Sequence, residues 1–344
     1  TEIKKRNEDY EIERVFKLVL VFNAPNFIDE NMNIFLSFLF ISLIKSIYRN
    51  SKSFSSQNSN TKTRHLLADS PNHYTGTQTS HLDIPYLYLD VKVTQCIFEY
   101  CFTQNSHGGA INFASTSESR PNFELTSSTF LNCGTRYYGS RGGAVYVKGF
   151  QVTSSRNCFK SCFGSVGTYC AFDLADGSQF LAETSTFYST TIPGLCEASL
   201  FVHSDYTTVR DNNITQTHIG GDGAGFYLET SVSLTFLRNH FNQTSGSSIV
   251  YLNLIPDTVL FQYSNFLNNH ERGNGVISIL GNHAIDNCIF MNNQKLLVNL
   301  HSGTLLLFRC TFDKEIENEA SSCFHGLISF QEVTYTKEAK AYAI

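Results

Sequence analysis

Three aspartates lie close enough in sequence to form a carboxylate cluster that could take part in catalysis or bind a metal ion: Asp173, Asp176 and Asp205. Clustered carboxylates of this kind, with a basic residue or a bound Ca²⁺ ion, serve enzymes that cleave polysaccharides. A fourth aspartate and two candidate bases lie further along the chain: Asp222, Arg210 and His218. Because no spacing among them matches a specific motif, the sequence identifies no catalytic residue, and the cluster supports only an alternative, enzymatic interpretation.

The ten cysteines and eleven histidines show no metal-ligand spacing. No Cys-x-x-Cys pair is present, so we expect neither a metal site nor a cofactor. Cys101, Cys133 and Cys162 recur about one repeat apart, and stacked coils would bring their backbones to about 5 Å, within disulfide range. A disulfide or a stack of small buried thiols fits this spacing. The thiol stack is favoured because three cysteines in a row leave one unpaired.

A row of residues predicted to point outward from successive strands contains four aromatic side chains and Asp173. The aromatic residues are Tyr146, Phe201, Tyr227 and Tyr251. Exposed aromatic patches bind sugar rings and protein partners, which makes these five residues the candidate binding face. Ordinary ring stacking on a sheet face, shielded by neighbouring loops, would produce the same pattern.

Two sequons, Asn213-Ile-Thr215 and Asn242-Gln-Thr244, are candidate glycosylation sites. A glycan can be attached only where the asparagine is exposed. Both sequons overlap a repeat position that we expect to face the interior, which argues against full occupancy.

An internal repeat averaging about 27 residues positions all of these side chains. Nine short units each centre on an aromatic or aliphatic anchor, and the intervals between anchors are 32, 29, 28, 27, 27, 25, 24 and 22 residues. A Cys, Ser or Asn stands two residues before each anchor, and a Cys, Thr or Asn stands three residues after all but the last. Like residues at one position are typical of coils stacked about 4.8 Å apart. The anchors are Phe98, Phe130, Phe159, Phe187, Ile214, Phe241, Phe266, Phe290 and Phe312.

Each unit also contains a second strand with alternating apolar residues. Gly108-Gly109 and Gly142-Gly143 precede two of these strands, and glycine permits the positive φ angle of a tight corner. The predicted inward pairs are Ile111/Phe113, Val145/Val147, Phe172/Leu174, Leu200/Val202, Phe226/Leu228, Val250/Leu252, Ile277/Ile279, Val298/Leu300 and Ile328/Phe330.

The repeat predicts an all-β fold, a right-handed parallel β-helix of about nine coils over residues 93–332. An antiparallel sandwich would show hairpin turns about every 8–12 residues, and Asn-Gly or Asp-Gly turns are sparse here. A leucine-rich repeat needs a Leu/Asn spacing that this chain lacks.

Four signals resemble the GGAI and FxxN repeats of polymorphic outer-membrane proteins: Gly108-Gly-Ala-Ile111, Gly142-Gly-Ala-Val145, Phe266-Leu-Asn-Asn269 and Phe290-Met-Asn-Asn293. Other units carry FxxC or FxxT instead. Over residues 93–332 the chain is also similar to the right-handed β-helix surface proteins of trichomonad protists. The resemblance implies a pectin-lyase-like solenoid at the cell surface with a role in adhesion or recognition, and it implies no catalytic residues.

Outside the repeat the sequence predicts five further segments. Residues 1–31 precede the first methionine and are expected to be an upstream extension. Residues 32–48 hold an apolar run that is too short for a membrane span, which needs about 20 residues, and resemble a signal peptide. Residues 49–80 are predicted to be a polar, poorly ordered lead-in. Residues 81–92 are a candidate N-terminal cap or extra strand, and residues 333–344 form a C-terminal tail.

Composition narrows the classes of function. The net charge of −5 gives no excess of basic residues that could bind phosphate groups, so nucleic acid is not an expected partner. With 29 Phe, 17 Tyr and only 16% charged residues, the chain favours extended structure.

We therefore predict a secreted or cell-surface recognition or adhesion β-helix that binds a glycan or a host or other extracellular protein without catalysis. Any membrane attachment would come from a segment outside this chain. A pectin-lyase-like polysaccharide lyase or glycoside hydrolase, using Asp173, Asp176 and Asp205, is the alternative. A structural spacer of a longer surface protein is the second alternative.

Overall fold

Twenty-nine β-strands make up all the regular secondary structure of the described residues, and every pairing between them is parallel. The computed structural model describes residues 73–84, 90–114, 121–136, 139–192, 198–253, 258–293, 297–313 and 326–336. These ranges belong to one unit of the chain, Leu66–Ile344. The predicted extension 1–31 and signal-like segment 32–48 lie outside the described residues.

The strands in chain order are β1 His73–Gln78, β2 Leu82–Ile84, β3 Asp90–Glu99, β4 Phe102–Thr103, β5 Ile111–Ala114, β6 Asn122–Thr126, β7 Thr129–Leu131, β8 Gly134–Thr135, β9 Val145–Ser155, β10 Cys158–Lys160, β11 Cys170–Glu183, β12 Thr186–Ile192, β13 Leu200–Arg210, β14 Asn213–Ile219, β15 Phe226–Leu237, β16 His240–Asn242, β17 Ser245–Gly246, β18 Val250–Asn253, β19 Thr258–Gln262, β20 Asn265–Leu267, β21 His270–Glu271, β22 Ile277–Ile279, β23 His283–Asp286, β24 Ile289–Met291, β25 Val298–Leu300, β26 Gly303–Phe308, β27 Thr311–Phe312, β28 Gly326–Gln331 and β29 Thr334–Tyr335.

Twenty-five of the strands stack as three parallel sheets around one apolar core, and the short strands β4, β8, β17 and β21 form small separate pairings. The first sheet carries the anchors and contains the ends of β1 and β3, followed by β7, β10, β12, β14, β16, β20, β24, β27 and β29. The second contains β2, β5, the first halves of β9, β11, β13 and β15, and then β18, β22 and β25. The third contains the starts of β1 and β3, then β6, the second halves of β9, β11, β13 and β15, and β19, β23, β26 and β28.

This arrangement is the predicted all-β, right-handed parallel β-helix. The nine segments of the second sheet are separated by eight turns of the chain. All nine predicted anchors occupy consecutive rungs of the first sheet, from Phe98 to Phe312. Neighbouring Phe anchors stack nearly parallel with ring centroids 4.7–5.4 Å apart.

The stack extends past both predicted limits, residues 93 and 332. Strand β1 adds a rung within the segment 49–80 that the sequence predicted to be poorly ordered, and β29 adds one within the predicted tail. Residues 81–92, the candidate cap or extra strand, contain β2, which pairs with β5. Because Tyr74 is the only buried residue of β1, this strand shows no apolar alternation that a sequence pattern could detect.

Seven of the nine predicted inward pairs have the expected register, and one of the other two is displaced by two residues. Cys170 and Phe172, rather than Phe172 and Leu174, pair with Val145 and Val147. Cys170, Phe172 and Leu174 are all buried on one side of the strand, so the alternation of apolar residues could not decide which two of them form the inward pair. An irregularity between Leu174 and the third sheet absorbs the extra residues.

The other exception is Ile328/Phe330, which belongs to the third sheet, where it pairs with Leu305 and Leu307. The sequence pattern predicted two strands per coil, whereas the structure has three. The strands of the third sheet were not predicted as separate elements. Long strands such as β9, β11 and β13 bend from the second sheet into the third without a break, so no turn residue marks the boundary.

A ladder of polar side chains runs through the corner between the third and first sheets. From Cys96 to Ser264, the backbone N–H of each ladder residue donates to the ladder side chain of the following coil at 2.9–3.4 Å. The asparagines among them also donate to a carbonyl of the preceding coil. The ladder residues are Cys96, Ser128, Asn157, Ser185, Asn212, Asn239, Ser264, Cys288 and Cys310, all almost fully buried.

The residue before each ladder position has left-handed backbone, with φ between 50° and 56°. That conformation costs a residue with a Cβ atom about 1 kcal/mol or more, so the ladder hydrogen bonds stabilise a strained corner. These residues are Gln95, Ser127, Arg156, Thr184, Asp211, Arg238, Tyr263, Asn287 and Arg309, and Glu332 has the same conformation one coil further on.

The predicted cysteine stack lies on the other side of the first sheet. Cys101, Cys133 and Cys162 are buried, and each thiol donates to a carbonyl of the preceding coil at 3.5–3.7 Å. Hydrogen bonding to Cys133 and burial raise the pKa of Cys101. No disulfide joins the cysteines within the described residues, so the thiol interpretation describes this structure.

Glycine is required where the first sheet turns into the second. Gly108 and Gly142 have φ angles of 57° and 68°, and a Cβ at either would lie 1.8–2.0 Å from a carbonyl oxygen. The predicted positive φ angle before these two strands is therefore confirmed.

Replacing Asn239 with alanine should destabilise the fold by about 3 kcal/mol, because it leaves a buried N–H and a buried carbonyl without partners. The Asn239 Oδ1 atom accepts from the Asn212 backbone, and Nδ2 donates to the Val209 carbonyl. Serine occupies the same position in other coils, so Asn239→Ser should cost clearly less. Urea unfolding of both variants measures the difference, and equal losses would contradict the ladder's role.

Candidate binding face

The outer face of the second sheet carries a column of aromatic rings. Tyr146, Phe201, Tyr227 and Tyr251 share one outward position in their coils. The Phe201 and Tyr227 rings stack at 5.3 Å, and the Tyr227 and Tyr251 rings at 4.8 Å. Tyr146 and Phe201 are each only 6% exposed, whereas Tyr227 and Tyr251 are half-buried. The part of the column that a ligand can reach is therefore Tyr227 and Tyr251.

Asp173 does not belong to this column. Because the register of its coil differs by two residues from the expected one, Ala171 occupies the rung between Tyr146 and Phe201. Asp173 lies in the adjacent outward row and pairs with Lys148 on one side and His203 on the other.

A basic side chain fills the gap that Ala171 leaves in the column. The Arg141 guanidinium lies 5.6 Å from the centre of the Phe201 ring, a cation–π distance. The His107 ring packs against Tyr146 with centroids 4.7 Å apart. These contacts cover the two rings that are nearly inaccessible.

The Asp173 carboxylate is bound from both sides. It accepts a hydrogen bond from Arg141 Nη1 at 2.6 Å and contacts His203 Nδ1 at 3.2 Å. The His203 hydrogen bond and the positive charge of Arg141 lower the pKa of Asp173 against the effect of burial. The same hydrogen bond raises the pKa of His203. The lowered pKa makes Asp173 a weaker proton acceptor than an unperturbed aspartate.

The other two aspartates of the predicted cluster have different environments. The Asp205 carboxylate accepts hydrogen bonds from the Gly177 backbone N–H and the Ser231 hydroxyl, so it holds the chain at the irregularity before the third sheet. Asp176 is exposed at this irregularity. Within the described residues no group of three or more His, Cys, Asp or Glu side chains is arranged to hold a metal ion.

A carboxylate that the sequence did not single out lies beside the accessible tyrosines. The half-buried Glu229 side chain accepts hydrogen bonds from Asn253 Nδ2 at 2.8 Å and from the Tyr227 hydroxyl at 3.4 Å. Asp222, in the same coil, accepts from Asn274 Nδ2 at 2.8 Å. Burial and the charges of Asp222 and Glu229 raise the pKa of Tyr251. Glu229 is two residues after Tyr227 on the same strand, and this spacing was the available sequence signal.

The two sequon asparagines lie away from this face, on the outer side of the first sheet. Asn213 and Asn242 are both half-buried. Asn242 Oδ1 accepts a hydrogen bond from Asn268 Nδ2 at 3.0 Å. Thr244, the third residue of one sequon, is fully buried, as its place in the repeat predicted.

Comparisons of this chain with protein-family models, with curated proteins and with solved structures found no match. The structure therefore supports a parallel β-solenoid without assigning it to a family. Over the described ranges, no helix has the length and apolarity to cross a membrane.

The Asp173–His203 pair should show a defined pH dependence. The stabilising effect of His203 is fully present below its ordinary pKa of 6.5 and is lost as the pH rises through the raised folded-state value. The effect of Asp173 is present above 3.8 and is lost as the pH falls through its lowered value. The pair is therefore most stabilising between these two limits.

An NMR titration of the histidine rings measures this coupling directly. We expect Asp173→Asn to lower the pKa of His203 and to leave His240 unchanged, since burial alone lowers the pKa of His240. A His203 titration that does not move in Asp173→Asn would show that the pair does not form in solution.

Proposed function

We propose that this protein is an extracellular or cell-surface recognition β-helix that binds a glycan or an extracellular protein through the outer face of the second sheet. The observation that carries this proposal is the pair of half-exposed, stacked rings of Tyr227 and Tyr251 beside the Glu229–Asn253 hydrogen-bonded pair. An accessible aromatic surface next to fixed polar groups is the composition typical of recognition sites.

The rigidity of the sheet also supports binding. Both tyrosines extend from paired strands of adjacent coils, so the rings are held in position before a ligand arrives. Sites built on strands lose little conformational freedom on binding, which favours affinity. The sequence-based expectations of secretion and adhesion, and the resemblance to β-helix surface proteins, agree with this function.

The first test is binding of the full chain to a panel of polysaccharides and extracellular matrix proteins. A ligand that uses this face should bind about tenfold more weakly to Tyr251→Ala, because the variant removes an aromatic contact surface. Tyr206→Ala is the matched control, since Tyr206 is 45% exposed on the third sheet. Equal effects of the two substitutions on every retained ligand would refute the assignment of the binding face.

A further inference from the structure

The carboxylates beside the accessible tyrosines lack the ion pairs that several other carboxylates of the described surface make. Neither Asp222 nor Glu229 pairs with a described basic side chain: Asp222 accepts from the Asn274 amide, and Glu229 accepts from the Asn253 amide and the Tyr227 hydroxyl. Both are half-buried, where an unbalanced negative charge is less screened than at a fully exposed position. The paired carboxylates elsewhere include Glu124–Lys92, Asp173–Arg141, Glu183–Arg210, Asp211–Arg238 and Asp286–Arg309.

The aromatic column ends at Tyr251, where Asp222 reaches the following coil through Asn274 and Glu229 lies one coil back, level with Tyr227. One face of the Tyr251 ring stacks on Tyr227. The rung after Tyr251 is Ser278, which has no ring to cover the other face. The exposed His301 side chain lies there edge-on, with ring centroids 6.2 Å apart, and its Nε2 atom is 2.8 Å from the Ser278 hydroxyl.

The gap at Ala171 shows what fills such a position in this protein. Arg141 covers the Phe201 ring while its Nη1 atom donates to the Asp173 carboxylate. A planar guanidinium suits this double contact, because it stacks on an aromatic face and directs its N–H groups at carboxylates in the same plane. The open end of the column has similar components: a ring with no neighbour stacked on its second face, and a carboxylate, Asp222, with no ion pair. His301 lies there edge-on in place of the arginine.

We propose that the open end binds an arginine side chain of a partner protein, with the guanidinium on Tyr251, its N–H groups directed at Asp222 and the negative charge of Glu229 one coil away. This inference rests on the proposed function and specifies its ligand as a basic protein segment. Acidic polysaccharides are disfavoured because both flanking groups are negative. Because His301 occupies the position in the unbound protein, the arginine displaces it.

The test measures fluorescence anisotropy of labelled peptides added to the full chain at low salt. The probes are a peptide of alternating arginine and glycine, the same peptide with citrulline in place of arginine, and the lysine version. A chitosan oligomer is added as a competitor of the arginine peptide. Its positive charges are the ammonium groups of amino sugars, so it represents a cationic glycan. Citrulline keeps the planar shape of arginine and removes the charge, so the pair isolates the ionic contribution.

We expect the arginine peptide to bind, the citrulline peptide to bind at least tenfold more weakly, and the lysine peptide to lie between them. Asp222→Asn should weaken arginine binding about threefold to tenfold and reduce its sensitivity to salt, and Glu229→Gln should have a smaller effect because Glu229 lies one coil away. The matched control Glu99→Gln, on the first sheet, should have no effect. His301→Ala should strengthen binding, because it removes the side chain that competes for the ring.

Equal binding of the arginine and citrulline peptides, or an unchanged affinity in Asp222→Asn, would overturn this inference. Stronger binding of the chitosan oligomer would also overturn it, because the cation would then come from a glycan. If no peptide binds but Tyr251→Ala still weakens the binding of a ligand from the wider panel, the assignment of the recognition face is supported. Only the proposal that it binds arginine is then refuted. If Tyr251→Ala affects no ligand at all, both proposals fall.

Discussion

At seven successive corners between the third and first sheets, a backbone N–H donates along the axis of the stack to the side chain of the following coil. Buried N–H groups without partners cost about 1–3 kcal/mol each, so every coil depends on the next for a small polar residue. Asn is the most effective, because its Oδ1 atom accepts from Asn212 while its Nδ2 atom donates to Val209 in the case of Asn239. The left-handed residue before it is held in place by the same bonds. The sheets, the ring column and the outer face all rely on this register.

Most of the fold could be predicted from the sequence because the corner requires particular residues at a fixed distance from each anchor. The register failed at Cys170, Phe172 and Leu174, where three inward residues in succession allow two pairings and the irregularity that decides between them leaves no pattern. The third sheet was missed because its strands continue from the second without a turn. Strand β1 was missed because its core contribution is a single residue, Tyr74.

The candidate site could be predicted in part. The spacing of the repeat placed the four aromatic side chains on one face, because each lies between the two inward residues of its coil. The two-residue displacement moved Asp173 into the neighbouring row and replaced it with Ala171. The roles of Arg141 and His301 depend on side chains that reach across coils to rings far away in sequence. No local pattern records such contacts, and the same applies to the link between Asp222 and Asn274.

Because every strand lies across the axis and pairs in parallel with its neighbours, the hydrogen bonds between coils run along the axis. Tension applied through the chain therefore loads one terminal coil at a time, while the coils behind it remain intact. Each coil that peels away releases between 22 and 32 residues, or roughly 70–110 Å of extended chain. The stack consequently yields in discrete steps, because each coil contacts only its neighbours. Mechanically, it resembles an extensible tether more than a rigid strut.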